Sequence, residues 1–189
     1  LVFDVALQKL SDLGRATCAD HVGPWDRLKE AGDRTYSAPE AWGYLYATPL
    51  SGARVEHSYR KRFDLYMLGS LIYFLLTEQS LNTVMAVYLR PEYGPSNWTG
   101  DFAGIMPYLR DVHGHAMADM DAEVLGTYGK EGYDRLSEIL QAVRYLTDVN
   151  PESRGDPRNN TSGLQKHDLQ RLISRTDILS KKIALLEKT

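Results

Sequence analysis

The chain has 189 residues, of which 43% are apolar; this is enough for one sizeable hydrophobic core and excludes a disordered chain. Its 22 basic and 25 acidic residues give a net charge of -3, so no overall field draws it to nucleic acid or a membrane surface, and we expect neither partner. A single cysteine excludes an internal disulfide framework and, with no signal-peptide or transmembrane pattern, predicts a cytoplasmic protein.

The chain starts with a predicted β-hairpin. Residues 1–5 and 8–11 are short runs with the composition of strands. Asp12, Leu13 and Gly14 follow directly, and a carboxylate at a strand end is a good ligand for a hard cation. A plain turn explains the same three residues equally well, because glycine after an acid turns the backbone sharply.

Residues 15–34 show no helix or strand period and contain several charged side chains, which predicts a long surface loop. After it, Pro39 fixes the backbone just before Glu40. Three aromatic residues follow closely, at Trp42, Tyr44 and Tyr46. A carboxylate among aromatic rings is costly to bury without a cation, so we expect Glu40 to have a basic partner if it is buried.

Residues 62–76 form the most apolar stretch of the chain. From residue 63 onward it is apolar on every side apart from Asp64, Gly69 and Ser70, which predicts a helix buried all round, too short to cross a bilayer. Asp64 is interpreted either as a helix cap or as a carboxylate close to buried backbone. Gly69 weakens a helix by about 1 kcal/mol relative to Ala, so we expect a close approach there.

Further helices are predicted downstream. Residues 82–89 extend as a helix, residues 91–104 are a loop, and apolar side chains recur at helical spacing from 102 to 112. Residues 134–147 are clearly amphipathic. Met117, Met120, Val124 and Leu125 are interpreted as packing residues. His113 and His115 are interpreted as surface residues, because a zinc site needs more ligands than these two.

The last part of the chain is predicted to be a linker and a helical tail. Residues 154–163 are rich in Gly, Pro, Asn and Ser, which indicates a linker. Residues 164–186 carry an apolar repeat with basic side chains between, which predicts one or two amphipathic helices. Docking onto the domain is the first interpretation of this tail, and self-association or partner binding is the second.

The order of these features resembles the large lobe of the eukaryotic-type protein kinases, and is most similar to those found in bacteria. The resemblance rests on four short motifs, each weak alone and fairly specific in this order: Asp12-Leu13-Gly14, Ala38-Pro39-Glu40, Asp64 with Gly69, and Pro151 with Arg154. It covers residues 1–160, leaving residues 161–189 as a helical extension. The fold it implies is mainly α, with an N-terminal β-hairpin, a long activation segment and a helical bundle.

The activity implied by the resemblance is phosphoryl transfer from ATP, with Mg²⁺, to serine or threonine of a protein substrate, in signalling. Asp12 would hold the Mg²⁺ beside ATP, with Leu13 and Gly14 in the same motif. Leu13 replaces the usual phenylalanine. The resemblance places substrate contacts on four residues of the activation segment: Gly32, Asp33, Arg34 and Thr35. Asp33 stands where these kinases usually carry threonine, which puts the acceptor specificity in doubt.

The resemblance also implies structural roles. Glu40 and Arg154 would form a buried clamp at the base of the activation segment, and Asp64 would hydrogen-bond the backbone of the catalytic loop. Thr17 and Thr35 are candidate phosphorylation sites in the activation segment.

The 189 residues contain no glycine-rich loop, no ATP-pairing lysine and no His-Arg-Asp catalytic loop. We therefore expect a missing N-terminal kinase lobe upstream of Leu1, and an inactive chain without it. The alternative is a non-catalytic kinase-like module that regulates or scaffolds by binding partners.

Overall fold

The computed structural model describes residues 17, 20–28, 33–51, 54–161 and 167–186. In this part the chain is mainly helical, which confirms the predicted fold class at that level. The predicted N-terminal hairpin lies outside the described residues, as do Asp12, Leu13, Gly14 and Gly32. No helix in the described ranges combines the length and the apolar character needed to cross a membrane.

Two helices form the first half of the fold. Helix α1 spans His57–Thr77 and helix α2 spans Leu81–Tyr88, close to the predicted limits. Helix α1 ends where Glu78 adopts the left-handed conformation with φ 57°, and the N–H of Glu78 donates to the carbonyl of Phe74 at 2.7 Å. This turn satisfies a terminal carbonyl of α1 and reverses the chain into α2 within a few residues.

The prediction that α1 is buried all round is wrong. Leu71, Phe74 and Leu75 are exposed, with 69% of Leu75 accessible, and Asp64 is also at the surface. The other side of the helix, which includes Phe63, carries the core contacts to α2 and α3. An apolar sequence identifies residues able to be buried, but packing partners determine which face is covered.

Helix α3 spans Phe102–Leu146 and reverses direction at Gly129, where the backbone leaves the helical region at φ 67° and ψ -178°. The reversal is required by one contact: His113 and Thr147 are 34 residues apart, yet their Nε2 and Oγ1 atoms are 2.8 Å apart. In a straight helix they would be separated by about 50 Å. Residues 102–128 form the outgoing arm and residues 130–146 the return arm, which contains the predicted helix at 134–147 apart from its last residue.

The core lies between α1, α2 and the two arms of α3. Aromatic and aliphatic side chains from all four supply it, including Tyr59, Phe63, Tyr66, Tyr73, Leu81, Met85, Ile105, Leu109, Met120, Val124, Leu140 and Val143. Of the four residues at 117–125 interpreted as packing, Leu125 differs, since 45% of it is exposed. The core therefore holds α1 and α3 together.

The described strands are minimal. Strand β1 spans Leu50–Ser51 and pairs antiparallel with strand β2, Arg54–Val55. The N–H of Val55 also donates to the carbonyl of Asp26 at 2.9 Å, and Asp26 is buried. The segment around Asp26 is thus attached to the domain, although a surface loop was predicted for residues 15–34.

Helix α4 spans Gln170–Leu186 and begins against the return arm of α3. Leu169 and Leu172 pack on a small cluster of Leu65, Ala142 and Leu146. An ion pair between Arg175 Nη1 and Glu138 Oε1 at 2.7 Å extends this contact. The start of the tail is docked, as the first interpretation expected.

The predicted linker at 154–163 is not a free linker over its described part, because Arg154, Asp156 and Asn159 are buried. Residues Pro157–Thr161 form a short 3₁₀ helix. The polar composition of this stretch reflects hydrogen-bonded turns that are packed against the domain.

Candidate functional site

A buried ion pair joins two segments that lie 114 residues apart. Arg154 Nη1 donates to Glu40 Oε1 at 2.6 Å and Arg154 Nη2 donates to Glu40 Oε2 at 2.7 Å. Both side chains are fully buried, at 0% exposure. The two parallel hydrogen bonds fix the guanidinium and the carboxylate in one plane, which is the strongest geometry for such a pair. The pairing expected from the sequence is thus present.

Short turns position both charged residues. Glu40 lies in the 3₁₀ turn Pro39–Ala41, where Pro39 takes the first helical position and the N–H of Ala41 donates to the carbonyl of Ala38 at 2.8 Å. Arg154 follows a second such turn, Pro151–Ser153. Proline at the start of each turn restricts the backbone, so each side chain leaves it in a defined direction.

All five N–H donors of Arg154 have acceptors. Two donate to Glu40, and the others donate to the carbonyls of Asp148 at 2.8 Å, Val149 at 3.3 Å and Arg62 at 3.4 Å. The guanidinium also lies over the ring of Tyr66, 4.9 Å from its centroid. Burying a charge is tolerable only when its hydrogen-bonding capacity is satisfied, and here it is.

A second ion pair lies beside the first but reaches solvent. Arg62 Nη1 donates to Glu152, and the side chain of Arg62 is 7% exposed whereas that of Glu152 is 71% exposed. This pair links α1 to the turn that carries Arg154. Two arginines therefore attach the turn to α1. Arg62 binds Glu152 in the turn, and Arg154 donates to the carbonyl of Arg62 in α1.

Residues 33–37 contain the short 3₁₀ helix Arg34–Tyr36, and the first three of these residues are exposed. Asp33 Oδ1 accepts from the N–H of Thr35 at 2.8 Å, and this hydrogen bond lowers the pKa of Asp33 because it stabilises the carboxylate. Asp33, Arg34 and Thr35 are exposed, while Ser37 is buried. The described part of the proposed substrate-contacting segment thus offers three side chains to solvent and is attached to the domain at its end.

Asn82 on α2 hydrogen-bonds the backbone of this turn. This residue was not predicted from the sequence. Its Nδ2 donates to the carbonyl of Ser37 at 2.8 Å, and the hydroxyl of Tyr66 donates to its Oδ1 at 3.0 Å. Tyr66 is fully buried, which raises the pKa of its hydroxyl. The sequence offered one indication of this contact: Tyr66 lies inside an apolar run, and a buried tyrosine hydroxyl needs a hydrogen-bond partner.

Gly69 permits α1 to approach the end of α3. A Cβ atom on Gly69 would lie 2.6 Å from Thr147 Cγ2 and 2.9 Å from Leu146 Cβ, closer than van der Waals contact allows. The close approach expected from the sequence is present. Thr147 also hydrogen-bonds His113, so the glycine brings α1 against a polar contact between the two arms of α3.

The expectation that His113 is an ordinary surface residue is wrong. Its ring is largely buried beside Thr147, and burial lowers the pKa of His113 to about 4, which keeps the imidazole neutral near pH 7. His115 does lie at the surface, where its ring stacks on Tyr88. No group of potential metal ligands is assembled among the described residues.

Asp64 lies on the outer side of α1 and lines a surface cavity of about 380 Å³ together with Lys61, Leu65, His167, Asp168 and Leu169. Partial desolvation raises the pKa of Asp64, and the nearby charges of Arg60 and His57 oppose this rise. The structure thus places Asp64 at a surface cavity on the exposed side of α1. Its role toward a catalytic loop stays a prediction.

Neither a protein-family model, nor a curated protein, nor a solved structure matches the chain.

Proposed function

We propose that the chain is the large-lobe portion of an ATP- and Mg²⁺-dependent protein kinase that phosphorylates serine or threonine of proteins. The observation that carries this proposal is the buried Glu40–Arg154 pair. The kinase resemblance requires a contact between these two residues across 114 positions, and the two charges meet there with both side chains buried, which is costly unless each neutralises the other.

The approach of α1 to the end of α3 at Gly69 supports the same proposal, because this glycine belongs to the third motif of the resemblance. The exposed turn at residues 33–37 supports it as well. A segment that contacts a protein substrate must be accessible on one side and held on the other, and Asp33, Arg34 and Thr35 meet both conditions.

In this proposal Asp12 would hold the Mg²⁺, since a carboxylate oxygen is the ligand type that Mg²⁺ prefers. Leu13 and Gly14 belong to the same motif. The bound metal would supply positive charge to neutralise the charge that develops on the transferred phosphoryl group. The described residues act on the protein substrate and on the shape of the activation segment, which Glu40 and Arg154 anchor at its base.

The test is phosphotransfer by the full-length protein with Asp12→Ala, using labelled ATP and dephosphorylated casein as acceptor. We expect a loss of about a hundredfold or more, because the Mg²⁺ would then lack its carboxylate ligand and the charge on the phosphoryl group would not be neutralised. Asp20→Ala, a substitution of an exposed loop carboxylate, is the matched control and should leave transfer unchanged. Transfer that survives Asp12→Ala would contradict the metal role.

A second candidate function is a non-catalytic kinase-like module that binds partners. It is favoured by helix α4, where Ile173 and Ile178 are more than half exposed although the helix start is docked. The wild-type protein in the same assay distinguishes the two functions. No phosphotransfer to casein or to the protein itself, together with retained folding, is the outcome expected for the binding module.

A further inference from the structure

One amide side chain attaches the exposed turn at residues 33–37 to α2. Asn82 Nδ2 donates to the carbonyl of Ser37 at 2.8 Å and lies 3.5 Å from the carbonyl of Arg34. Beside it, Ser80 Oγ donates to the carbonyl of Thr35 at 3.2 Å. The contacts are all with main-chain carbonyls, so α2 determines where the backbone of the turn runs whatever its side chains are.

The chemistry of its neighbours fixes the orientation of the Asn82 amide. Carbonyl oxygens can only accept, so the NH₂ group must face Ser37 and Arg34. The amide oxygen then faces Tyr66, whose hydroxyl donates to it at 3.0 Å. With both ends of the amide engaged, Asn82 has one orientation that satisfies all of its partners.

Tyr66 connects this contact to the ion pair. Its ring lies under the guanidinium of Arg154, which holds Glu40 at the other end of the same segment. Trp42 Nε1 also donates to the carbonyl of Ser37 at 3.0 Å. The stretch from 33 to 42 is therefore attached near its start by Ser80 and Asn82 and near its end by Arg154, and Tyr66 contacts both Asn82 and Arg154.

We propose that Asn82 is a positioning residue for the protein substrate, acting by holding the backbone of residues 34–37 against α2. The proposal rests on the function proposed above, in which this segment contacts the substrate. Asn82 lies behind the turn and does not itself meet the substrate. Its amide keeps Asp33 and Thr35 presented on the outer side, where an extended stretch of another protein could bind.

Limited trypsin digestion of the full-length protein tests the positioning directly. Asn82→Asp keeps the shape and the acceptor for Tyr66 but replaces the NH₂ donor with an oxygen that repels the two carbonyls. We expect cleavage after Arg34, detected by mass spectrometry as a fragment that begins at Thr35, to become about tenfold faster. Unchanged cleavage would overturn the proposal.

Asn97→Asp is the matched control, because Asn97 Nδ2 makes the same kind of bond, to the carbonyl of Pro91 at 2.7 Å, away from the turn. Cleavage after Arg34 should be unaffected by it. Tyr66→Phe serves as a second variant in case Asn82→Asp fails to fold. It removes only the hydroxyl that orients the amide, and we expect about threefold faster cleavage.

Kinetics separate positioning from a general loss of structure. With casein as acceptor, Asn82→Asp should raise the KM for casein about tenfold while the KM for ATP stays unchanged, whereas a destabilised enzyme would lose activity at every concentration of casein. An active protein in which Asn82→Asp leaves the KM for casein unchanged would overturn the role of Asn82 and leave the proposed function intact. A wild-type protein without phosphotransfer would overturn the substrate role together with the proposed function.

Discussion

Two ion pairs lie in opposite surroundings. The buried pair Glu40–Arg154 defines the base of the molecule, and the exposed pair Lys130–Asp134 lies at the tip of α3, next to the reversal at Gly129. At the base, Glu40 and Arg154 are withdrawn from water and every donor of the arginine has an acceptor. At the tip, about 25 Å along the return arm, Lys130 Nζ and Asp134 Oδ1 are 2.7 Å apart with both side chains mostly in solvent. The distances are nearly the same, but the surroundings differ.

The comparison indicates that the burial of an ion pair, and not its length, determines how much stability is lost when one partner is removed. Water and salt screen the charges at the tip and can replace either partner when the other is lost. At the base, no water is available to replace Glu40, so its loss would leave an uncompensated buried cation. The base should therefore be sensitive to single substitutions that the tip tolerates.

The largest expected effect is that of Glu40→Ala, which leaves Arg154 buried without its counter-ion. We expect it to lower the free energy of unfolding by about 3–5 kcal/mol, measured by urea denaturation. Glu131→Ala, which breaks an exposed pair with Arg135 near the tip, should leave the free energy unchanged within error. Equal losses in the two variants would remove the contrast between base and tip.

The pH dependence of the stability tests a buried group that is neutral, the imidazole of His113. The pKa of His113 is about 4 in the folded protein and near 6.5 when unfolded, so above pH 6.5 both states are neutral and the stability is complete. As the pH falls from about 6.5 to 4, the unfolded state takes up a proton that the folded state does not. We expect the free energy of unfolding to fall by about 2 kcal/mol from neutral pH to about pH 5.

The variant His113→Gln should lose this part of the pH dependence, while His115→Gln, which replaces an exposed ring, should retain it. Denaturation at the two pH values checks both variants. A pH dependence that is the same in wild type and His113→Gln would show that the buried ring does not cause it.

The smallest effects come from two glycines used for different reasons. Gly69→Ala should cost about 1–2 kcal/mol, because the added methyl group meets Thr147 and overpacking outweighs the gain in helix propensity. Gly129→Ala should cost about 1 kcal/mol through its backbone alone, since nothing lies within 4 Å of the added atom. Thermal or urea unfolding measures both.

Thr147→Ser separates these two causes, because it deletes the methyl carbon 2.6 Å from the added atom and keeps the hydroxyl. Combined with Gly69→Ala it should recover part of the lost stability, beyond the sum of the single changes. Combined with Gly129→Ala it should recover none. Recovery in both combinations would contradict a steric origin at Gly69.

The helices and the ion pair were within reach of the sequence. An apolar run predicted α1, and apolar periodicity predicted the start and the return arm of α3, because a helix stripe repeats at a fixed spacing whatever it packs against. Glu40 among aromatic residues signalled the need for a cation, and the resemblance supplied Arg154 as its partner. Both predictions follow from requirements that a residue carries with it, namely burial and charge neutralisation.

What the sequence did not reveal depends on neighbours from elsewhere in the chain. The exposed face of α1 at Leu71 and Leu75 is apolar by composition, and only the arrangement of the helices determines which face stays open. His113 is partly buried because the return arm of α3 brings Thr147 against it. Asn82 binds main-chain carbonyls, which every residue has, so no residue pattern identifies its partners.

The reversal of α3 at Gly129 also orders the folding of the domain. Contacts between its two arms, such as Asp121–Arg144 and His113–Thr147, join residues that are 23 and 34 positions apart, so they close with less loss of entropy than a longer loop and can form earlier. The Glu40–Arg154 contact closes a loop of 114 residues and has to wait until Arg154 has been synthesised. During that time Glu40 keeps its hydration, and we expect the base of the molecule to be the last part to become native.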